Sequence, residues 1–261
     1  MPLTVTRIGH SSVLLDFAGT RILTDPWFVD TWMYHHGEPL GMAAQDLPAL
    51  AAVVVSHNHY DHNDMKGLAA YHDHAVPLAM PIGASGPARK HGFTNLHEMR
   101  PWESIHFGDV TATACPGLHH QVPELTYVLE GHGFRAFFGG DTLFIPALRE
   151  LPERFGPFDL ALLPCNGLVV RIAGNKQVVM NAREAAELCA ALRPRYAVPI
   201  HYAFWGNALT ERLVIRHSRT GATDFAAAAR QLSPDIDARI LAPGETLTVP
   251  TERAEETGGM A

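Results

Sequence analysis

The first residues alternate apolar and polar side chains, which is the period of a strand buried on one face. Three such segments follow one another, Thr4–Ile8, Val13–Phe17 and Arg21–Thr24, and Ala18-Gly19 joins the last two as a hairpin. Ala52-Val53-Val54-Val55 differs: it is a continuous apolar run ended by Ser56, the pattern of a central strand covered on both faces. Asp64–Tyr71 and Ala84–His91 read as helices on either side of a strand near Val76–Met80. Ile105–Phe107, Val110–Cys115, Thr126–Glu130 and Phe134–Phe138 predict successive strands with Gly/Asp turns between them, and Phe158–Leu163 predicts another buried strand.

In the last third, Asn181-Ala182-Arg183-Glu184 opens a helix, with Asn181 as N-cap and Glu184 at the third helical position. It stops before Pro194. Tyr196–Ile200 is strand-like, Thr223–Leu232 helical, and Ala238–Leu241 and Thr246–Val249 strand-like again. With strands dominating each half and helices interspersed, the expected class is α/β, with sheets packed face to face and helices outside. No repeat or linker interrupts the pattern, so residues 1–250 read as one domain and residues 251–261 as a polar, frayed tail.

Between Phe28 and Ala44 no period holds, and Trp32, Tyr34, His35 and His36 crowd the stretch. Such a segment is a packed loop or a lid over a site. Trp27 and Phe28 read as plugs for the core, whereas Trp32 and Tyr34, stiff and apolar with polar tips, are the candidates for substrate binding.

Composition narrows the class. The 261 residues carry a formal net charge of −7, and 47% are hydrophobic. That is a globular chain with no basic field for nucleic acid. No apolar run approaches the roughly 18 residues of a membrane span. The first residues lack a signal-peptide pattern, and three scattered cysteines suit reduced thiols, so a cytoplasmic location is expected. The outlier is histidine, with 16 residues.

Their placement carries the chemistry. Ser56-His57-Asn58-His59-Tyr60-Asp61-His62 puts four ligand-type side chains into six residues at the end of a buried strand. A core has no use for them, because several imidazoles and a carboxylate would be desolvated with no apolar gain. Imidazole nitrogen and carboxylate oxygen suit zinc and its neighbours at catalytic sites. His57 and His59 can converge on one ion and Asp61 and His62 on a second; a single three-histidine zinc is the simpler alternative.

The pattern H-x-H-x-D-H after an apolar strand resembles the metallo-β-lactamase superfamily. Gly9-His10-Ser11-Ser12, Leu23-Thr24-Asp25-Pro26, Trp102-Glu103-Ser104, Gly139-Gly140-Asp141-Thr142, Met180-Asn181 and Pro199-Ile200-His201-Tyr202 follow in order. They resemble the branch containing ascorbate-6-phosphate lactonase and N-acyl-phosphatidylethanolamine phospholipase D. The resemblance implies a four-layer αββα sandwich holding two divalent ions, zinc or manganese. It makes His57, His59 and a histidine of the 119–120 pair ligands of the first ion. Asp61, His62 and His201 would hold the second, with Asp141 bridging. The resemblance also favours His119 over His120, because that branch places its ligand three residues after a proline, here Pro116. Gly139 and Gly140 would let the backbone approach an ion closely.

Other candidates stay open or recede. Asp25 is either an acceptor that orients a ligand imidazole or a turn aspartate before Pro26. His10 either faces the cleft or, as a lone histidine beside a glycine, is structural, and the structural reading is preferred. His35, His36, His72, His74, His91, His97, His106, His132 and His217 share no ligand spacing and read as surface or loop residues. Of the cysteines only Cys165, after a buried strand, is expected near the site.

These readings imply a hydrolase in which a metal-bridging hydroxide attacks a small ester or lactone, with Asp61 orienting it. The alternative is a phosphodiester hydrolase of the phospholipase D-like type. A non-catalytic metal-binding sensor or partner protein is the third class. A serine nucleophile has no support, since no Gly-x-Ser-x-Gly elbow is present.

Overall fold

The computed structural model describes residues 2–251. Two seven-stranded sheets form its centre. In the amino-terminal sheet the order is Thr246–Val249, Leu3–Gly9, Ser12–Phe17, Thr20–Thr24, Ala52–Val54, Leu78–Pro81 and Leu96–Met99. In the carboxy-terminal sheet it is Asp237–Ala238, Tyr196–Ile200, Leu160–Pro164, Phe134–Phe138, Leu125–Gly131, Val110–Pro116 and Ser104–Phe107. Of the tail expected over residues 251–261, all but Thr251 lies outside the described residues.

Apolar runs become central strands here because both faces are covered. Val54, Tyr127, Leu129, Phe138, Leu160, Leu162 and Val198 point into the layer between the sheets. Their chain neighbours Val128, Phe137, Ala161, Leu163 and Ala197 point outward, against Leu188 and Leu192 of the Ala182–Leu192 helix and Phe225 of the Gly221–Leu232 helix. Val53, Leu78 and Met80 do the same on the other side, against Met65, Leu68 and Ala88 of two short helices. The result is helix, sheet, sheet, helix, the expected αββα sandwich.

Strand direction then gathers the site. Thr20–Thr24, Ala52–Val54, Leu78–Pro81 and Leu96–Met99 run parallel. Leu3–Gly9 joins that direction through two antiparallel pairings. In the other sheet Phe134–Phe138, Leu160–Pro164, Tyr196–Ile200 and Asp237–Ala238 are parallel, and Val110–Pro116 shares their direction by the same double reversal. His10, Asp25, His57, His119, Asp141 and His201 therefore all follow carboxyl ends of strands, where open α/β sheets bind ligands.

Several elements differ from the sequence pattern. Leu96–Met99 is a strand, and Pro146–Arg149 and Leu151–Phe155 are short helices, each started by a proline near its first position. The Asp64–Tyr71 helix shrinks to Met65–Leu68, and Ala238–Leu241 to Asp237–Ala238. The irregular stretch contains a strand, Tyr34–His36, which pairs with Phe204–Gly206. A three-stranded sheet of Val169–Val170, Lys176–Gln177 and Ile215–Arg216 lies outside the two main sheets. These pairings join segments far apart in sequence, so no local period announces them.

Candidate metal centre

The two sheets are tied together at the site edge before any site side chain is considered. Leu125 N–H donates to the Ser56 carbonyl at 2.9 Å, and His201 N–H to the His10 carbonyl at 3.3 Å. The Tyr127 hydroxyl donates to the Val55 carbonyl at 3.0 Å. Loops carried by different sheets are thus held in one register.

The loop after Ala52–Val54 turns tightly, with the N–H groups of His62 and Asn63 both donating to the His59 carbonyl. Its side chains divide between two groups. His57, His59 and His119 present ligand-type atoms within 4.8 Å of one another, and so do Asp61, His62, His201 and His10. Asp141 stands between the groups. Its Oδ2 is 2.9 Å from His201 Nε2, 3.3 Å from His62 Nε2 and 4.0 Å from His57 Nε2. All seven residues named as ligands from the sequence converge here.

For His62 and His119, partners behind the imidazole choose which nitrogen faces the centre. His62 Nδ1 lies 2.5 Å from Asp25 Oδ2, so Nδ1 carries the proton and Nε2 points inward. Asp25 also accepts from the Ser56 N–H and hydroxyl, each at 2.6 Å. Of its two readings, the geometry is that of the orienting acceptor, with Oδ2 taken up by His62 and the Ser56 hydroxyl, although Asp25 also lies within ligand spacing of His57 and His62. His119 Nδ1 donates to the Val178 carbonyl at 2.8 Å, leaving Nε2 to face His57 and His59. His120 is outside the ligand group and sits instead in the wall of the adjoining cavity.

Two residues escaped the sequence reading. Glu124 is buried, with Oε2 2.9 Å from His57 Nδ1 and Oε1 accepting the Asp141 N–H at 2.9 Å. A lone glutamate just before a strand has no spacing signal. Gly140 belongs to this contact: its φ is +55°, and a Cβ there would collide with Glu124 and Ser56. The close approach that excludes a side chain is therefore to a carboxylate and a serine, whereas the sequence suggested an ion. The second is His10, for which the sequence favours a structural role over one facing the cleft and which the fold puts into the Asp61 group.

Electrostatics match a cation site. Burial works against ionising Asp141, yet the His201 and His62 imidazoles outweigh it and hold the carboxyl well below its usual range. Burial, with neighbouring imidazoles, holds His57 and His59 below theirs and His119 down to about 4. These nitrogens are neutral lone-pair donors at neutral pH. His62 Nε2, His201 Nε2 and Asp141 Oδ1 are buried with no hydrogen-bond partner. Polar atoms left this way are costly unless a cation satisfies them, so the donor set fits divalent ions that take N and O ligands.

A cavity of about 230 Å³ opens onto the centre. His59, Asp61, His119 and Asp141 are at its polar side, and Tyr34, Leu168, Val170, Val178, Phe204 and Ile215 contribute its apolar wall. Among the described residues no lysine or arginine lines it. Tyr34 reaches this cavity, stacked on Tyr60 at 5.3 Å between ring centroids. Trp32, 78% exposed, does not. Trp27 is fully buried beneath, stacked on His36 and packed with Phe204 and Ile215, as a plug should be. His217 lies in a loop, but with its side chain buried against Phe204. Cys165 is buried in the outer core, its Sγ 3.6 Å from the Ile200 carbonyl, and does not line the cavity.

Comparisons with known proteins agree with this architecture. Residues 20–202 match the model of the beta-lactamase superfamily domain. A Mycobacterium tuberculosis protein of uncharacterised function is 33% identical over 181 residues, covering 62% of this chain and 48% of that protein. This chain thus spans about half the length of that relative. The N-acyl-phosphatidylethanolamine-hydrolyzing phospholipase D 1 of Caenorhabditis elegans is 29% identical over 239 residues, covering 80% of this chain and 66% of the enzyme. A metallo hydrolase of Ignicoccus hospitalis superposes with a TM-score of 0.73 at 18% identity, covering 97% of this chain and all of that one. The two packed sheets, the ordered landmarks and the family match together establish that this chain belongs to the metallo-β-lactamase superfamily.

Proposed function

We propose that this protein is a binuclear metal-dependent hydrolase acting on a small, uncharged ester or lactone with an apolar substituent. The observation that carries the reading is the cavity: a polar side made of four ligand-type residues, an apolar wall, and no lysine or arginine to receive an anion. His57, His59 and His119 would hold one ion, Asp61, His62 and His201 the other, and Asp141 would face both. Zinc and manganese both suit these donors, and cellular supply selects between them. Bound ions would supply an acidified water and polarise the electrophilic oxygen.

The chain's own residues do the rest. Asp61 lines the cavity and is the carboxylate placed to orient a nucleophilic water and accept its proton. Asp25 holds His62 in the required tautomer, and the Ser56 hydroxyl and Glu124 Oε2, each 2.9 Å from His57 Nδ1, do the same for His57. The apolar wall excludes water around the scissile bond and selects the substituent.

Phosphodiester hydrolysis is the second reading, and the specific observation favouring it is the likeness to the Caenorhabditis elegans phospholipase. The experiment is a turnover screen of metal-loaded protein on γ- and δ-lactones, aryl esters and bis-aryl phosphates. Faster turnover of the neutral esters or lactones is expected. Preference for the phosphodiester transfers the assignment to the second reading, and no turnover of any class favours a metal-binding sensor.

A further inference from the structure

His10 stands in the turn between Leu3–Gly9 and Ser12–Phe17, with φ at +49°. Its side chain is buried, and neither ring nitrogen has a hydrogen-bond partner. Trp27 and Phe204 pack edge-on against the ring at 5.0 and 5.2 Å between centroids, which fixes its tilt. On its open side are His201 at 4.3 Å and His62 at 5.3 Å, again between centroids. His10 Nε2 is 3.5 Å from Asp61 Oδ2.

That last distance separates two roles. A hydrogen bond between an imidazole N–H and a carboxylate brings the atoms to about 2.7–2.9 Å. Neighbouring ligands of one five-coordinate ion, each with a bond of about 2.1 Å and separated by about 90–120°, lie about 3.0–3.6 Å apart. The 3.5 Å between His10 and Asp61 is co-ligand spacing, as is the 3.7 Å between His62 Nε2 and Asp61 Oδ2. The ligand-type atoms of all four residues, His10, Asp61, His62 and His201, lie within 4.8 Å of one another.

We propose that His10 Nε2 is a further protein ligand of the second ion, beside Asp61, His62, His201 and the shared Asp141. The inference rests on the binuclear reading above. It makes the two ions unequal. Of the second ion's donors only Asp61 and the shared Asp141 line the cavity and His10, His62 and His201 do not, whereas two of the first ion's three imidazoles, His59 and His119, line it. The second ion is the more enclosed of the two.

The test is zinc titration of metal-free protein against a chromophoric chelator, with elemental analysis after dialysis and melting curves of the metal-free state. His10→Asn is the main variant, since asparagine accepts a left-handed backbone and its amide is shorter than the imidazole. His10→Gln restores a hydrogen-bond donor near the Nε2 position and is a poor ligand. Wild type is expected to bind two ions tightly. Both variants should keep one and hold the other at least about tenfold more weakly, with unchanged melting. Two tight ions in both variants, or wild-type affinity in His10→Gln alone, overturns the ligand role. A wild-type protein that takes up one ion or none overturns the binuclear reading itself, and that result is read without any variant. If His10→Asn does not fold, proton spectra of cobalt-loaded wild type decide. A sixth paramagnetically shifted imidazole N–H, beyond those of His57, His59, His62, His119 and His201, supports the assignment, and its absence refutes it.

Discussion

Glu124 and His57 meet between the two sheets, carboxylate Oε2 2.9 Å from imidazole Nδ1, with both side chains wholly buried. The glutamate comes from the segment before Leu125–Gly131 and the histidine from the loop after Ala52–Val54, so the contact locks opposite halves of the sandwich at the site. Removing a partner behind a ligand imidazole typically weakens metal binding by about 10–100-fold. Glu124→Ala should lower affinity for the first ion by that order, and Glu124→Gln, which keeps an acceptor, by less. Chelator competition measures it, and unchanged affinity in Glu124→Ala would reduce the contact to packing.

Asp61→Asn should keep the fold and lose turnover by about 10²-fold or more, because an amide neither accepts the proton of water nor balances a dication. The check is kcat beside a melting curve. Wild-type turnover in a folded variant would place Asp61 outside the chemistry.

Tyr34 lines the cavity and Trp32 does not, which divides two aromatic residues that the sequence treats alike. Tyr34→Ala should alter the ranking of substrates that differ in chain length, since each methylene in an apolar pocket is worth about 1–3 kcal/mol. Ile215→Ala should favour longer substituents, and Trp32→Ala should leave the ranking intact. Relative kcat/KM across a homologous ester series reads all three; equal rankings throughout would mean that the wall does not contact the substituent.

Acid should destabilise the metal-free protein. His57, His59 and His119 are held below the ordinary histidine range, mainly by burial, His119 at about 4. Unfolded, each titrates near about 6.5, so between pH 6.5 and 4 the unfolded chain binds more protons and stability falls, by up to about 1.4 kcal/mol per pH unit per group. Glu124, pushed up by burial to about 8, acts in the opposite sense between 8 and its unfolded value, but as one group against four, since burial also holds His10 down to about 3. His62 is lowered by burial and raised further by Asp141, Asp25 and Asp61, ending well above the ordinary range. Its contribution is complete below its unfolded pKa and is lost only as pH rises through the folded one. A melting temperature lower at pH 5 than at pH 7 is expected for chelated protein, with zinc at pH 7 raising it. A flat profile would show that these imidazoles protonate freely in the fold.

Asn181 accepts from the N–H groups of Arg183 and Glu184 at 3.0 Å each, and the Glu184 side chain accepts the Asn181 N–H at 2.9 Å. Asn181→Ala should cost about 1 kcal/mol of stability without changing metal content. Denaturant unfolding beside elemental analysis tests both halves; a loss of metal would tie this helix start to the site.

The chain alone carries an α/β class with sheets face to face and helices outside, because apolar runs such as Ala52–Val55 and Phe158–Leu163 report strands covered on both faces and the Asn181 capping box reports a helix start, and the resemblance sharpens it to αββα. It also carries the seven residues proposed as ligands, through chemistry too dense for a core and landmarks in a fixed order. Contacts between distant segments belong to the tertiary structure. Glu124 meets His57 from 67 positions away because Leu125 pairs with Ser56, which no local period records. His10 looks like a turn residue until the carbonyl of that turn accepts from His201 and the ring falls beside Asp61. Trp32 and Tyr34 differ only once Tyr34–His36 pairs with Phe204–Gly206. Periodicity encodes which face of a strand is buried; only packing decides which side chains, carried by different strand ends, share one centre.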